Sequence, residues 1–159
     1  MILIADSSAL IALAICGGLE LLEPLYGEVL APEAVYHEVA ESDKLGSEIL
    51  RDYLSQRTRK VDTTSFVYLD AFADPGETEA MMLYKQLKAD KLLIDDRRGR
   101  KIAKINNIET IGSLGVLLAA KNAGLLAEIA SSLKKLADSR VFISPELIDT
   151  VLELARERP

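Results

Sequence analysis

Four short, largely apolar runs, MILIA, EVLAP, KLLI and IETIG, stand apart along the chain with helix-patterned segments between them. Such runs lack the in-out alternation of a half-exposed strand, so they predict strands buried on both faces, which requires a parallel sheet covered by helices on each side. The intervening segments carry helix punctuation. DSSALIALAICGG ends on glycines, PEAVYHEVAE has Pro32 in its first turn, and DPGETEAMMLYKQLKA opens with Asp74 as a cap, Pro75 at the first helical position and Glu77 completing a capping-box pattern. LELLEPLY predicts a short helix broken near Pro24; SEILRDYLSQ, RRGRKIAKINN, SLGVLLAAKNAG, LLAEIASSLKKLAD and SPELIDTVLELARER predict the remaining helices. KVDTTSFVYLDAF reads equally as extended chain or loop. The expected fold class is α/β: a three-layer α/β/α sandwich around a central parallel sheet of about four or five strands, forming a single domain over residues 1–159.

Composition narrows the chemistry. With 49% hydrophobic residues, the chain can build a core and is not a disordered segment. Its one cysteine, Cys16, and one histidine, His37, exclude an internal disulfide, a multi-cysteine zinc site and a histidine-rich metal centre. No basic segment precedes the first apolar run, and no apolar run reaches the ~20 residues that span a bilayer. The expectation is a soluble, cytoplasmic protein with no membrane partner. Twenty-five acids against 19 bases give a net charge of -6, so phosphate binding would need locally clustered bases.

In an open parallel sheet, ligands bind beyond the carboxyl ends of the strands where strand order reverses. Asp6 and the pair Asp95 and Asp96 follow two predicted strands. Helix capping is the structural alternative for Asp6 and for one of the pair. Glu38 falls three and four positions after Val35 and Ala34, which places it on the apolar side of its helix, where an unpaired carboxylate is costly. Glu77 and Glu79 share a first helical turn; the capping box accounts for Glu77, while Glu79 stands in line with Leu83 and points nearer the buried side. Gathered at one sheet end, Asp6, Glu38, Glu79 and Asp96 would repel each other, and a divalent cation resolves that conflict. Oxygen ligands without histidine or cysteine point to Mg²⁺ or Mn²⁺ and to phosphodiester hydrolysis.

Beside the aspartate pair, RRGRKIAK places Arg97, Arg98, Arg100, Lys101 and Lys104 together. One such base is ordinarily a solvated helix residue; as a group in an acidic chain they predict a phosphate-binding, RNA-binding surface. Arg51, Arg57, Arg59 and Lys60 form a second cluster that could extend it.

LIADSSALIAL, APEAVYHEVAE, DPGETEAMMLYKQLKADKLLIDDRRGRKIAK and IETIGSLGVLLAAKNAG, in this order, resemble the PIN domain, and more closely a compact prokaryotic PIN-like group of predicted nucleic-acid-binding proteins. The resemblance spans nearly the whole chain. It implies a metal-dependent ribonuclease in which Asp6, Glu38, Glu79 and Asp96 gather around Mg²⁺ or Mn²⁺, with Glu77 competing with Glu79 and Asp95 with Asp96 as metal ligands. It implies that a hydroxyl of Ser7 or Ser8 orients a carboxylate or a water on the ion; capping of the first helix is the alternative. Relatives of this kind are often toxins of toxin-antitoxin pairs and often dimers, so an antitoxin protein and a homodimer are expected partners. The apolar C-terminal helices could supply the dimer surface or complete the core.

Rival classes lack their marks. Asp6 is followed by Ser7 and Ser8 rather than completing an Asp-x-Asp pattern, and no G-x-x-x-x-G-K-[ST] loop occurs. The remaining alternative is a degenerate PIN-like module that binds RNA or protein without cutting.

Overall fold

The computed structural model describes residues 1–41, 46–62, 64, 69, 74–141 and 143–157. In chain order the elements are β1 (Ile2–Ala5), α1 (Ser7–Cys16), a 3-10 turn (Leu19–Leu21) leading into α2 (Leu22–Tyr26), β2 (Glu28–Pro32), α3 (Glu33–Ala40), α4 (Ser47–Leu54) and β3 (Thr58–Arg59). They continue with α5 (Pro75–Leu87), β4 (Lys91–Leu93), α6 (Arg97–Ile105), β5 (Thr110–Ile111), α7 (Ser113–Asn122), α8 (Ala130–Ala137) and α9 (Pro145–Leu154). The strands form one parallel sheet in the order β3-β2-β1-β4-β5. This is the predicted α/β/α sandwich.

Strand residues alternate between two apolar layers, because successive side chains of a strand leave opposite faces. Leu3, Ala5, Val29, Ala31 and Leu93 join Leu10 and Leu13 of α1, Leu50 of α4 and Leu117 of α7 on one face. Ile4, Leu30, Leu92 and Ile94 join Ala80, Met81 and Leu83 of α5 and Ile102 of α6 on the other. After β1 the chain builds outward through β2 to β3, then returns through α5 to lay β4 on the free side of β1. The crevice above the ends of β1 and β4 is therefore the point where strand order reverses. The Asp6 amide donates to the Leu93 carbonyl at 2.8 Å, which ties the residue after β1 to the end of β4.

The four predicted strands correspond to β1, β2, β4 and β5. β3 lies in a stretch whose basic side chains hide it: it is two residues long, with no apolar run, and its register against Ala31 and Pro32 is set by the backbone. LLAEIASSLKKLAD becomes helical only at Ala130, where the Glu157 carboxylate accepts hydrogen bonds from the Ile129 and Ala130 amides. Most of KVDTTSFVYLDAF lies outside the described residues. No single described helix is long and apolar enough to cross a membrane.

Leu93 is fully buried between β1, β5 and the α1 layer. Leu93→Ala is expected to lower unfolding free energy by about 2–5 kcal/mol in a urea titration.

Candidate active site

Helices that follow parallel strands begin at the carboxyl end of the sheet, so their first turns converge there with the strand-terminal residues. At that end the fold brings together Asp6 after β1, Glu38 on α3, Asp74 and Glu77 at the start of α5, and Asp96 at the start of α6: the charges of Glu38, Asp74 and Asp96 act on Asp6, and those of Asp74, Asp6 and Asp96 act on Glu77.

Asp6 is 2% exposed. It occupies the N-cap position of α1 but makes no side-chain capping bond, and its Oδ1 is buried without a hydrogen-bond partner. Capping therefore does not account for it, and a buried polar atom of this kind is costly unless something binds it. Burial first, then the carboxylates of Glu38, Asp74 and Asp96, push its pKa up to about 7, against the opposing hydrogen bond from the Ser7 backbone.

Glu77, 7% exposed, is driven up to about 8, first by burial and then by Asp74, Asp6 and Asp96 and by a hydrogen bond with the Asp74 side chain. Glu77 lies in line with buried Met81 of α5, whereas Glu79 sits on the flank and is half-buried. The expected order of the two is thus reversed. The capping bond that does form runs from the Glu77 amide to Asp74 Oδ1, at 2.8 Å, and the Glu77 side chain itself is turned inward.

Two glycines make room for this crowding. A Cβ on Gly99 would stand 2.9 Å from Glu77 Oε2, and one on Gly76 would stand 3.0 Å from Glu38 Oε2. Glu38 itself is exposed: α3 buries Val35 and Val39, and Glu38 is rotated off that stripe to the rim facing Gly76. The expected core-facing orientation of Glu38 does not hold, although it stays within electrostatic reach of Asp6.

The aspartate pair divides its work between two helices. Asp96, exposed, caps α6 by accepting from the Gly99 amide at 2.7 Å while its charge acts on Asp6 and Glu77. Asp95 turns away to α7, where both its oxygens accept from Ser113, one from the amide and one from the hydroxyl, each at 2.6 Å. Ser8 Oγ accepts from the Asp95 amide at 3.4 Å, so this hydroxyl positions backbone rather than a carboxylate. Ser7 is buried beside Asp6 and contributes its backbone N–H. Asp74 is the acid that sequence reasoning missed as a site residue. Its capping role was legible; its place three residues before Glu77 was the signal for the rest.

Oxygen donors of this kind suit a hard, hydrated cation such as Mg²⁺. Among the described residues, no three His, Cys, Asp or Glu side chains form a group that would hold a metal ion directly. One oxygen each of Asp74 and Asp96 is turned to its own helix amides.

Arg97, Arg98, Arg100, Lys101 and Lys104 are arrayed along α6, and none enters the ion pairs found among the described residues, which join Arg57–Glu23, Arg59–Glu28, Lys91–Glu109 and Lys121–Glu157. All five are exposed. The second basic cluster does not extend this surface. Arg57 also stacks on Tyr53, Arg51 donates to the Ala40 carbonyl, and β3, which carries Arg59, is at the opposite edge of the sheet from β5.

A family model described as a PIN domain, DUF3368, matches residues 2–157. The chain belongs to the PIN-domain family. No curated protein and no solved structure matches it. PIN domains are nuclease-type folds, and in this PIN domain the acidic pocket occupies the sheet end where the fold is built to bind ligands.

Because the native pKa values of Asp6 and Glu77 lie above their ordinary values of 3.8 and 4.5, the native state holds more protons than the unfolded chain between those limits. Their contribution to stability is full below about pH 4 and is lost as pH rises through about 7 to 8. In chelator at pH 8, Asp6→Asn is expected to raise Tm by several degrees, ~1 kcal/mol corresponding to roughly 2–4 °C in a domain of this size, with the gain shrinking as pH falls and vanishing below about pH 4. A lower Tm for the variant at pH 8 would contradict the crowding.

Proposed function

We propose that this PIN domain is a Mg²⁺- or Mn²⁺-dependent endoribonuclease, with Asp6, Glu38, Glu77 and Asp96 as the acidic group and Asp74 as the residue that positions Glu77. The observation that carries the reading is the buried, unpartnered Oδ1 of Asp6 amid carboxylates contributed by separate elements. Asp6 and Glu77 would hold the ion most closely, and Glu38 and Asp96 at the rim would act through its water shell. When bound, a divalent cation supplies charge neutralisation on the scissile phosphate and lowers the pKa of a nearby water. The chain's own groups orient: Gly76 and Gly99 leave the carboxyls space, and Ser113 holds Asp95 away from the pocket. Exposed bases on α6, directly after Asp96, favour a phosphate backbone as the ligand.

The toxin role, the antitoxin partner and the homodimer belong to this reading by resemblance alone. A non-cutting, RNA-binding PIN module is the second reading, favoured by the lack of a ready-made metal cage among the described residues.

Purified protein is expected to cleave RNA with Mn²⁺ or Mg²⁺ and not with chelator. Asp6→Asn and Asp96→Asn should each reduce cleavage by about 100-fold or more, and Glu77→Gln should cost more than Glu79→Gln. Binding without metal-dependent cleavage would select the second reading. Arg97→Ala combined with Arg100→Ala should weaken RNA binding and reduce the slope of log affinity against log salt by about 0.7 for each phosphate no longer neutralised.

A further inference from the structure

Beyond β5, on the side away from Asp6, two clefts adjoin. One, about 370 Å³, is walled by Leu114, Val141, Ile143 and Leu147 and reaches the bare backbone of Gly112 and Gly115. The other, about 660 Å³, is lined by Arg97, Arg100, Lys101 and Lys104. Both include Asp95, Arg100, Thr110 and Leu147, so they form one groove with a cationic half and an apolar half.

The cationic half follows from helix geometry. Positions 97, 100, 101 and 104 fall on one face of α6, and the stripe runs about 10 Å along the axis. The apolar half is held open by Asp95, whose bonds to Ser113 fix the start of α7, and by glycine at 112, where a Cβ would stand 3.0 Å from Asp95 Oδ1 and 3.3 Å from Arg100 Nη1. Thr110 and the lone pairs of Ser113 Oγ add polar edges to a floor that is otherwise aliphatic. A repeating charge beside an apolar cleft matches a nucleotide, phosphate on one side and base on the other; the lining residues of the cleft include no aromatic, so the base is held by aliphatic contact and not by ring stacking. Position supports the same ligand: β5 is one strand spacing, about 4.8 Å, beyond β4, whose end leads into Asp95 and Asp96.

We propose that this groove binds the RNA strand flanking the acidic pocket, its phosphates on the α6 bases and one unstacked base seated between Leu114, Ile143 and Leu147. The inference takes from the preceding reading that the ligand is RNA; it does not require cleavage.

The test is binding in chelator, by fluorescence anisotropy, of a labelled short oligoadenylate and of an abasic ribose-phosphate chain of the same length. The oligoadenylate is expected to bind roughly tenfold more tightly, the scale of burying part of one base against aliphatic side chains. Leu147→Ser, at a side chain already 45% exposed, should remove most of that ratio; Ile105→Ser, at an α6 position 55% exposed and outside the groove, should preserve it. Equal binding of the two ligands by the unaltered protein, a Leu147→Ser effect equal on both, or displacement of oligoadenylate by polyglutamate as readily as by unlabelled oligoadenylate would overturn the proposal. The last outcome would mark a docking surface for acidic peptide. Since no metal is present, loss of the cleavage reading alone would leave these results standing.

Discussion

Burial of Asp6 and Glu77 at the end of the sheet, reinforced by the negative charge of neighbouring carboxylates, pushes the pKa of the first to about 7 and of the second to about 8. The fold imposes this proximity. Parallel strands end together, the helices that follow them start together, and the bond from the Asp6 amide to the Leu93 carbonyl locks the ends of β1 and β4 side by side. Gly76 and Gly99 then allow Glu38 and Glu77 to approach helix backbone where any Cβ would intrude. A packed core selected for stability alone would not leave Asp6 Oδ1 buried without a partner.

The same helix starts that create the crowding also temper it. α1, α5 and α6 all begin at this end of the sheet, and the partial positive charge of a helix N-terminus favours nearby acids. Asp74 and Asp96 exploit this as caps, and their second contribution, negative potential on Asp6 and Glu77, comes from the oxygens' position rather than from added residues. Asp95 adds a separate function. By binding both the amide and hydroxyl of Ser113, it fixes the start of α7 against the end of β4 and so shapes the groove beside β5.

Much of this was readable from the chain. β1, β2, β4 and β5 announce themselves because a strand buried on both faces must be apolar throughout, whereas β3 is held at an edge by backbone pairing and leaves no side-chain signature. The placement of Asp6 and Asp96 at one end of the sheet follows from the rule that residues after parallel strands gather there. The relative burial of Glu77 and Glu79 differs from the expectation because the capping-box pattern is only half realised: Asp74 accepts from the Glu77 amide, while the Glu77 side chain is buried and hydrogen-bonds with Asp74. Glu38 illustrates the limit of helical periodicity in an eight-residue helix, where a shift of one position separates the buried stripe from the rim. The aspartate pair was ambiguous because sequence shows one helix after it, while the second helix that Asp95 caps comes from across β5.

If the acidic pocket is completed by a divalent cation, diffraction from crystals grown with Mn²⁺ shows it most directly. An anomalous peak between the Asp6 and Glu77 carboxyls, with Glu38 or Asp96 reached through water, is the predicted result. Crystals with Mn²⁺ in the medium, no peak in that pocket, and Asp6 Oδ1 instead satisfied by a protein donor would contradict the account.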